Sequence, residues 1–248
     1  MLIKLDGTVN TRDIGNYTNL LGKKIKYGVL FRSDKLTNLT NRDITKIKSL
    51  GIKQIIDFDF YNTNNFPKLD NIEYFNIPIN LEKKYSKKLE SYIEISNSNK
   101  YDIHNFFIDI YEKFILEYKN EFRLFLKILI SGKKTLFCCS QGKDATGYAT
   151  MLIMKILDIP DKLIFEDYLK SNIYITPRIN ILMKKNKIFN VSCKNHDNFK
   201  PLYLADRRYL NSSYDTANFY YKNIDNYIVN ILNINKELKE KLNNYYTI

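Results

Sequence analysis

Apolar positions recur along this chain with two periods, and the alternation between the two periods outlines its architecture. Lys24 to Phe31 alternates in the manner of a strand, and Ile52 to Phe58 and Ile72 to Ile79 read as two more. Between them, Ile44, Ile47 and Leu50 fall on one face of a helix that starts at Thr40 or Asn41 as N-cap and stops at Gly51. From Tyr101 to Ile130 a long amphipathic helical pattern runs through Ile103, Phe107, Ile110, Phe114, Tyr118, Phe122, Phe125 and Leu129. A short apolar run from Lys134 to Cys139 follows, then a small polar loop, then a mainly apolar helix from about Thr146 to Leu157. Beyond Pro160 the pattern is helical: Leu163 to Tyr168, Ile179 to Met183, Tyr203 to Tyr221, Ile224 to Leu232 and Lys236 to Tyr246. Asn10 to Tyr17 reads as a structured loop and Asn190 to Lys200 as an exposed one.

Strands interleaved with helices predict an α/β fold: a central, mostly parallel sheet flanked by helices in three layers, with a helical C-terminal lobe or lid. No internal repeat or low-complexity linker divides the chain, so the expectation is a single domain over 1–248, its helical portion covering about 160–248. With 248 residues, 44% of them hydrophobic, the chain is long enough to bury one substantial core.

The net charge of +12 admits nucleic acid, anionic lipid or phosphorylated substrates as partners. Its lysines are scattered, however, and accompany a bias toward Asn, Ile and Tyr along the whole length, which makes the charge a compositional trait. The aromatic residues, 14% of the chain, fall at core-facing spacings and do not interleave with Lys on an exposed face, which argues against nucleic acid. Three cysteines, two of them adjacent, do not make a disulfide framework, and neither an N-terminal apolar segment nor a membrane-length run is present. A cytoplasmic setting is expected. His104 and His196 lie far from any Cys or carboxylate cluster in sequence, so no metal site is predicted.

Chemistry concentrates in Lys134–Gly147. A buried strand feeding a loop that opens a helix aims backbone N–H groups and the positive end of the helix dipole at one spot, an anion site best suited to phosphate. Cys139 stands at the rim of that loop, where the same groups favour thiolate over thiol. A thiolate beside a phosphate cradle suggests nucleophilic phosphoryl transfer; the alternative is a buried structural cysteine at a strand end.

Cys138-Cys139-Ser140-Gln141-Gly142-Lys143-Asp144-Ala145-Thr146-Gly147 resembles the H-C-x-x-G-K-D-R-T-G loop of the bacterial tyrosine-phosphatase family that includes cyanobacterial dual-specificity and mycobacterial secreted phosphatases. The likeness extends over nearly the whole chain. Asn10 to Tyr17 resembles the family's N-F-R-D-L-G-G-Y, and Leu30-Phe31-Arg32-Ser33 with Leu36 to Asp43 its L-F-R-S and L-x-x-L-T-x-x-D. Asp167 to Asn172 resembles its D-Y-L-x-S-N. The resemblance implies a phosphomonoester hydrolase without cofactor or metal, acting on phosphorylated protein or phosphoinositide. In it Cys139 is the nucleophile that forms a phosphocysteine, Ser140, Gln141, Gly142, Lys143, Ala145, Thr146 and Gly147 line the phosphate site, and Thr146 hydrogen-bonds the sulfur. Asp144 or Asp57 is the general acid, Lys143 adds charge at the rim, and Arg12, Asp13 and Arg32 support the pocket.

Three departures qualify that picture. Ala145 stands where the family has the arginine that grips two phosphate oxygens, a loss that lowers phosphoryl-transfer rates by roughly 10³–10⁵-fold. Cys138 replaces a histidine, and strand alternation turns it away from Cys139 into a structural place in the sheet. In the segment beginning at Asp57, the family's Arg and Glu become Asp59 and Thr63. A phosphatase of weak or no turnover is therefore expected, or a module that holds phosphorylated partners without hydrolysing them.

Overall fold

The computed structural model describes residues 1–59, 69–79, 101–184 and 200–248. A five-stranded sheet forms its centre, built from β1 (Arg12–Asp13), β2 (Leu30–Ser33), β3 (Gln54–Asp57), β4 (Glu73–Asn76) and β5 (Thr135–Cys138), in the order β1-β2-β5-β3-β4. All neighbours are parallel except the edge pair β1–β2. The expected α/β fold with a mostly parallel sheet is therefore present. β5 is central: Cys138 pairs with Ser33 of β2 on one side and Asp57 of β3 on the other. Crevices for ligands in such sheets open beyond the carboxyl ends of the strands, and Cys139 sits there.

Alternation along β5 separates the two faces. Leu136 and Cys138 join Ile3, Leu5, Phe31, Ile47 and Ile55 in a small core beneath α1 (Asn41–Ser49). Phe137 and Cys139 face the larger core with the remaining helices. Cys138 thus holds the structural place that alternation predicts. Helix α1 begins with a capping box: the Asp43 amide donates to Thr40 Oγ1, and the Thr40 amide donates to Asp43 Oδ2 at 2.9 Å. The same buried carboxylate accepts from the Asp6 and Gly7 amides, tying the N-terminal segment to the helix start.

On the other face lie α2 (Tyr101–Leu116), α3 (Lys119–Leu129), α4 (Ala145–Ile156) and α5 (Asp161–Lys184), followed by α6 (Lys200–Tyr203), α7 (Arg207–Tyr221), α8 (Ile224–Asn226) running into a π-helical turn (Tyr227–Ile231), and α9 (Lys236–Tyr246). Several expectations are corrected here. The helix anticipated over 101–130 is two, because Tyr118 leaves helical geometry (φ −100°, ψ 20°). Two segments expected on either side of residue 170 are one helix, α5, which continues through Pro177 on its exposed side. A single helix anticipated over Tyr203–Tyr221 is broken before Asp206, whose side chain accepts the Arg208 amide and caps α7. The strand expected over Lys24–Phe31 is confined to Leu30–Ser33, the stretch that meets β5. Arg12–Asp13, read as loop, pairs with β2. The exposed loop expected over Asn190–Lys200 lies largely outside the described residues, as do His196 and Thr63.

Helix α4 is buried at every position but Lys155 and so fixes the site from within. Tyr148 on its first turn packs edge-on to Phe122 at 4.4 Å between ring centroids, and Phe122 meets Phe58 and Phe114 at 5.9 and 5.5 Å. These rings join α3, α2 and the end of β3 to the helix that starts the loop's far side. Truncating Phe122→Ala is expected to lower the unfolding free energy by about 3–5 kcal/mol in urea denaturation; a loss below about 1 kcal/mol would show that the ring cluster does not brace α4.

Candidate active site

The loop after β5 is held from behind by its carbonyls. Arg32 Nη2 donates to Gly142 O at 2.7 Å, and Asn10 Nδ2 donates to Gln141 O and Gly142 O at 3.1 and 3.2 Å. Gly142 is required for this approach: its φ is +66°, and a Cβ there would lie 2.5 Å from Ser33 O. With the carbonyls engaged, the N–H groups of Gln141, Gly142, Lys143, Asp144 and Ala145 have no acceptor among the described residues. The first helical hydrogen bond comes later, from the Tyr148 amide to Asp144 O at 2.8 Å. A run of unpaired amides opening a 12-residue helix is an anion cradle.

Behind the loop lies a buried charge network. Arg12 Nε and Arg32 Nη1 reach the two oxygens of Asp167 at 3.2 and 2.6 Å. Arg12 also donates to Asp167 O, to Ser171 Oγ at 3.2 Å, and to Asn10 Oδ1. Asn10 is thus oriented by Arg12 while its amide nitrogen holds the loop. The two guanidiniums hold the Asp167 carboxyl far below the usual carboxylate range, against the effect of burial. Burial, and then the charge of Arg12, lower Arg32 to about 10. Two guanidiniums against one carboxylate leave net positive charge beneath the cradle, which suits an anion above it.

Cys139 lies under the loop, 6% exposed. Burial, followed by the carboxylate of Asp59, pushes its thiol up to about 11; the nearby Thr146 hydroxyl and amide pull the other way. Burial thus opposes the thiolate that the loop amides were expected to favour. Thr146 is buried near the sulfur, and its hydroxyl has no hydrogen-bond partner among the described residues.

Among the other expected residues, Asp144 belongs to the loop and is bound as an acceptor, taking Lys143 Nζ at 2.8 Å and the Tyr111 hydroxyl at 3.1 Å. Tyr111 in turn shares a 2.8 Å hydrogen bond with Tyr168. Lys143 was expected at the rim. It is instead fully buried, paired with Asp144 and 4.2 Å above the Phe107 ring, so it does not present charge to an incoming ligand. Asp57 accepts from the Tyr74 hydroxyl at 2.7 Å, the Asp59 amide at 3.0 Å and the Cys138 thiol at 3.7 Å, with burial raising its carboxyl; none of these partners lies in the 139–147 loop. Asp13 accepts from the Gly15 and Gly28 amides, both at 2.6 Å, and serves the turn beside β1. Arg32 supports the loop through the Gly142 carbonyl. Ala145 is buried at the start of α4, and Gly147 gives way to the Tyr168 ring, which a Cβ would approach to 3.0 Å.

Asn10, Asp167 and Tyr111 are site residues that pattern reading did not single out. Asp167 stands 155 residues from Arg12 and 135 from Arg32. The available signal was an acid and two arginines, each inside a short motif shared with one family.

A parallel-sheet protein with a cysteine at the end of its central strand, under a loop of unpaired amides that opens a buried helix, has the architecture of a cysteine-phosphatase-like α/β fold. The chain belongs to the tyrosine phosphatase family, whose family model matches residues 3–248. It is also 25% identical over 173 residues to a protein of Cupriavidus necator named "putative tyrosine-protein phosphatase", a match covering 68% of this chain and 63% of that protein. Among the described residues there is no group of three or more His, Cys, Asp or Glu side chains able to hold a metal ion, and no helix long and apolar enough to cross a membrane.

The depressed Asp167 carboxyl has a stability consequence of definite sign. Its contribution is fully present above the ordinary carboxylate pKa and is lost as pH falls toward the folded-state value. Asp167→Asn should remove that contribution and leave two buried guanidiniums without their counter-charge, costing about 3–5 kcal/mol at pH 7. Chemical denaturation of both proteins between pH 7 and 3 tests this: the gap should narrow with acid, and an equal gap at all pH values would contradict it.

Proposed function

We propose that this chain recognises phosphomonoesters at the loop Ser140–Gly147 and hydrolyses them with strongly reduced efficiency. The observation that carries the proposal is the loop itself, with carbonyls tied by Arg32 and Asn10, the Gln141–Ala145 amides without an acceptor among the described residues, and Cys139 close to Thr146. In the reaction, the fraction of Cys139 present as thiolate, its proton lost to solvent, attacks phosphorus, forming an S–P bond as the ester P–O bond breaks. The leaving oxygen takes a proton from the protonated form of Asp144, the carboxyl carried by the loop itself. Water then attacks phosphorus and gives a proton to the Asp144 carboxylate, the S–P bond breaks, and phosphate departs with the thiolate restored. The amides and the net positive charge beneath the loop supply the electrostatic stabilisation.

Two features limit turnover. Ala145 offers no donor or charge to the equatorial oxygens, and the high thiol pKa keeps the nucleophile mostly protonated at neutral pH. Arg32 holds both terminal nitrogens in place, Nη2 on Gly142 O and Nη1 on Asp167, which leaves no bidentate fork for a phosphate. The same features favour a second reading, in which the loop holds a phosphorylated partner without turning it over. Phosphorylated protein is the substrate or partner class we favour. Phosphoinositide recognition drew on a rim cation at Lys143, and that side chain is buried.

Restoring the arginine decides between these readings. Ala145→Arg should raise kcat/KM for an aryl phosphate by roughly 10³–10⁵-fold, and Cys139→Ser in that background should abolish the gain. A folded Ala145→Arg protein that stays at background would remove the hydrolase reading and leave the binding one.

A further inference from the structure

Asp59 stands two residues beyond β3, in a place where the resembled family carries an arginine. Its backbone is pinned on both sides. The Asp59 amide donates to Asp57 Oδ1 at 3.0 Å, and its carbonyl accepts from Asn76 Nδ2 at 2.8 Å. Asp57 is itself held by Tyr74, so the point at which the Asp59 side chain leaves the backbone is fixed by β3 and β4 together. From there its Oδ1 accepts the amide of Ser140 at 2.7 Å.

Ser140 directly follows Cys139, and its amide is the first of the loop. A carboxylate oxygen at 2.7 Å from that N–H makes a charge-assisted hydrogen bond of the kind a phosphate oxygen would make. Its negative charge also acts on the sulfur below, where it is the main influence after burial in holding the thiol protonated. By contrast, the neighbouring amides from Gln141 to Ala145 have no acceptor among the described residues. The loop is therefore engaged by an internal anion at one end and open along the rest.

We propose that Asp59 is a built-in anionic competitor: it occupies the first amide of the phosphate loop, and an incoming phosphate binds fully only by displacing it. This rests on the reading of the loop as a phosphate site. It adds a specificity consequence, since a ligand phosphate meets a fixed negative charge at the Cys139 end of the loop. Esters whose remaining parts contribute binding elsewhere can overcome that repulsion, and free inorganic phosphate is disfavoured. Product release is assisted for the same reason.

Isothermal titration calorimetry with inorganic phosphate at pH 7, on the full chain and its Asp59→Asn and Asp59→Ala forms, tests the proposal. Both variants should bind phosphate about tenfold or more tighter than the parent, because a charged rival for a charge-assisted hydrogen bond has gone. Equal or weaker binding by variants that keep the parent's melting temperature would overturn it and assign Asp59 a purely structural role in shaping the loop. Failure of all three proteins to bind phosphate at millimolar concentration would overturn the phosphate-site reading and this inference with it. Should either variant fail to fold, the parent answers alone. Saturating phosphate should move the ¹³C resonance of the Asp59 carboxyl, and a resonance unmoved by phosphate bound in the loop would overturn the proposal.

Discussion

Everything at this site depends on a buried carboxylate. Asp167, on the long helix after α4, is gripped by Arg12 from the edge strand and by Arg32 from β2, and through them it determines where the Gly142 carbonyl points. A loop of eight or so residues has enough freedom to turn either its carbonyls or its amides toward solvent. Tying two carbonyls from behind resolves that choice, and it costs the fold two guanidiniums withdrawn from water. The charges are tolerable because each has several partners: carboxylate, hydroxyl and backbone oxygens for Arg12, carboxylate and carbonyl for Arg32.

The same economy explains what Arg32 does not do. A guanidinium committed to Asp167 and to the rear of the loop supports the cradle's shape and adds positive potential beneath it. It does not supply the fork on the ligand side that an arginine at 145 would give. Shape and potential favour binding in the ground state, whereas the missing fork acts on charge that develops during transfer. The combination of Asp59 and burial at Cys139 pushes in the same direction, since both keep the sulfur protonated. On the function proposed above, the site would retain recognition more fully than chemistry.

Much of this was legible in the chain. The alternation of strand and helix periods and the Gly142 loop indicated the sheet and the cradle, and the opposite facing of Cys138 and Cys139 followed from strand alternation alone. What was not legible depends on long-range pairing. No periodicity connects Asp167 to arginines more than a hundred residues earlier, or Asp59 to the Ser140 amide. Lys143 illustrates the other limit: a lysine in a polar loop reads as exposed, and only the packed arrangement of Asp144 and Phe107 makes its burial tolerable. Likewise the expectation of a thiolate drew on loop amides and a helix dipole and left out desolvation, which acts against the charged form at a sulfur this deeply placed.

A crystal structure of the chain with tungstate would test the central claim most directly. The account predicts the oxyanion above Cys139, held by the amides of Gln141 to Ala145, with Arg32 still on the Gly142 carbonyl and Asp167. An oxyanion bound away from those amides, or an Arg32 that abandons Gly142 to clasp it, would contradict the account.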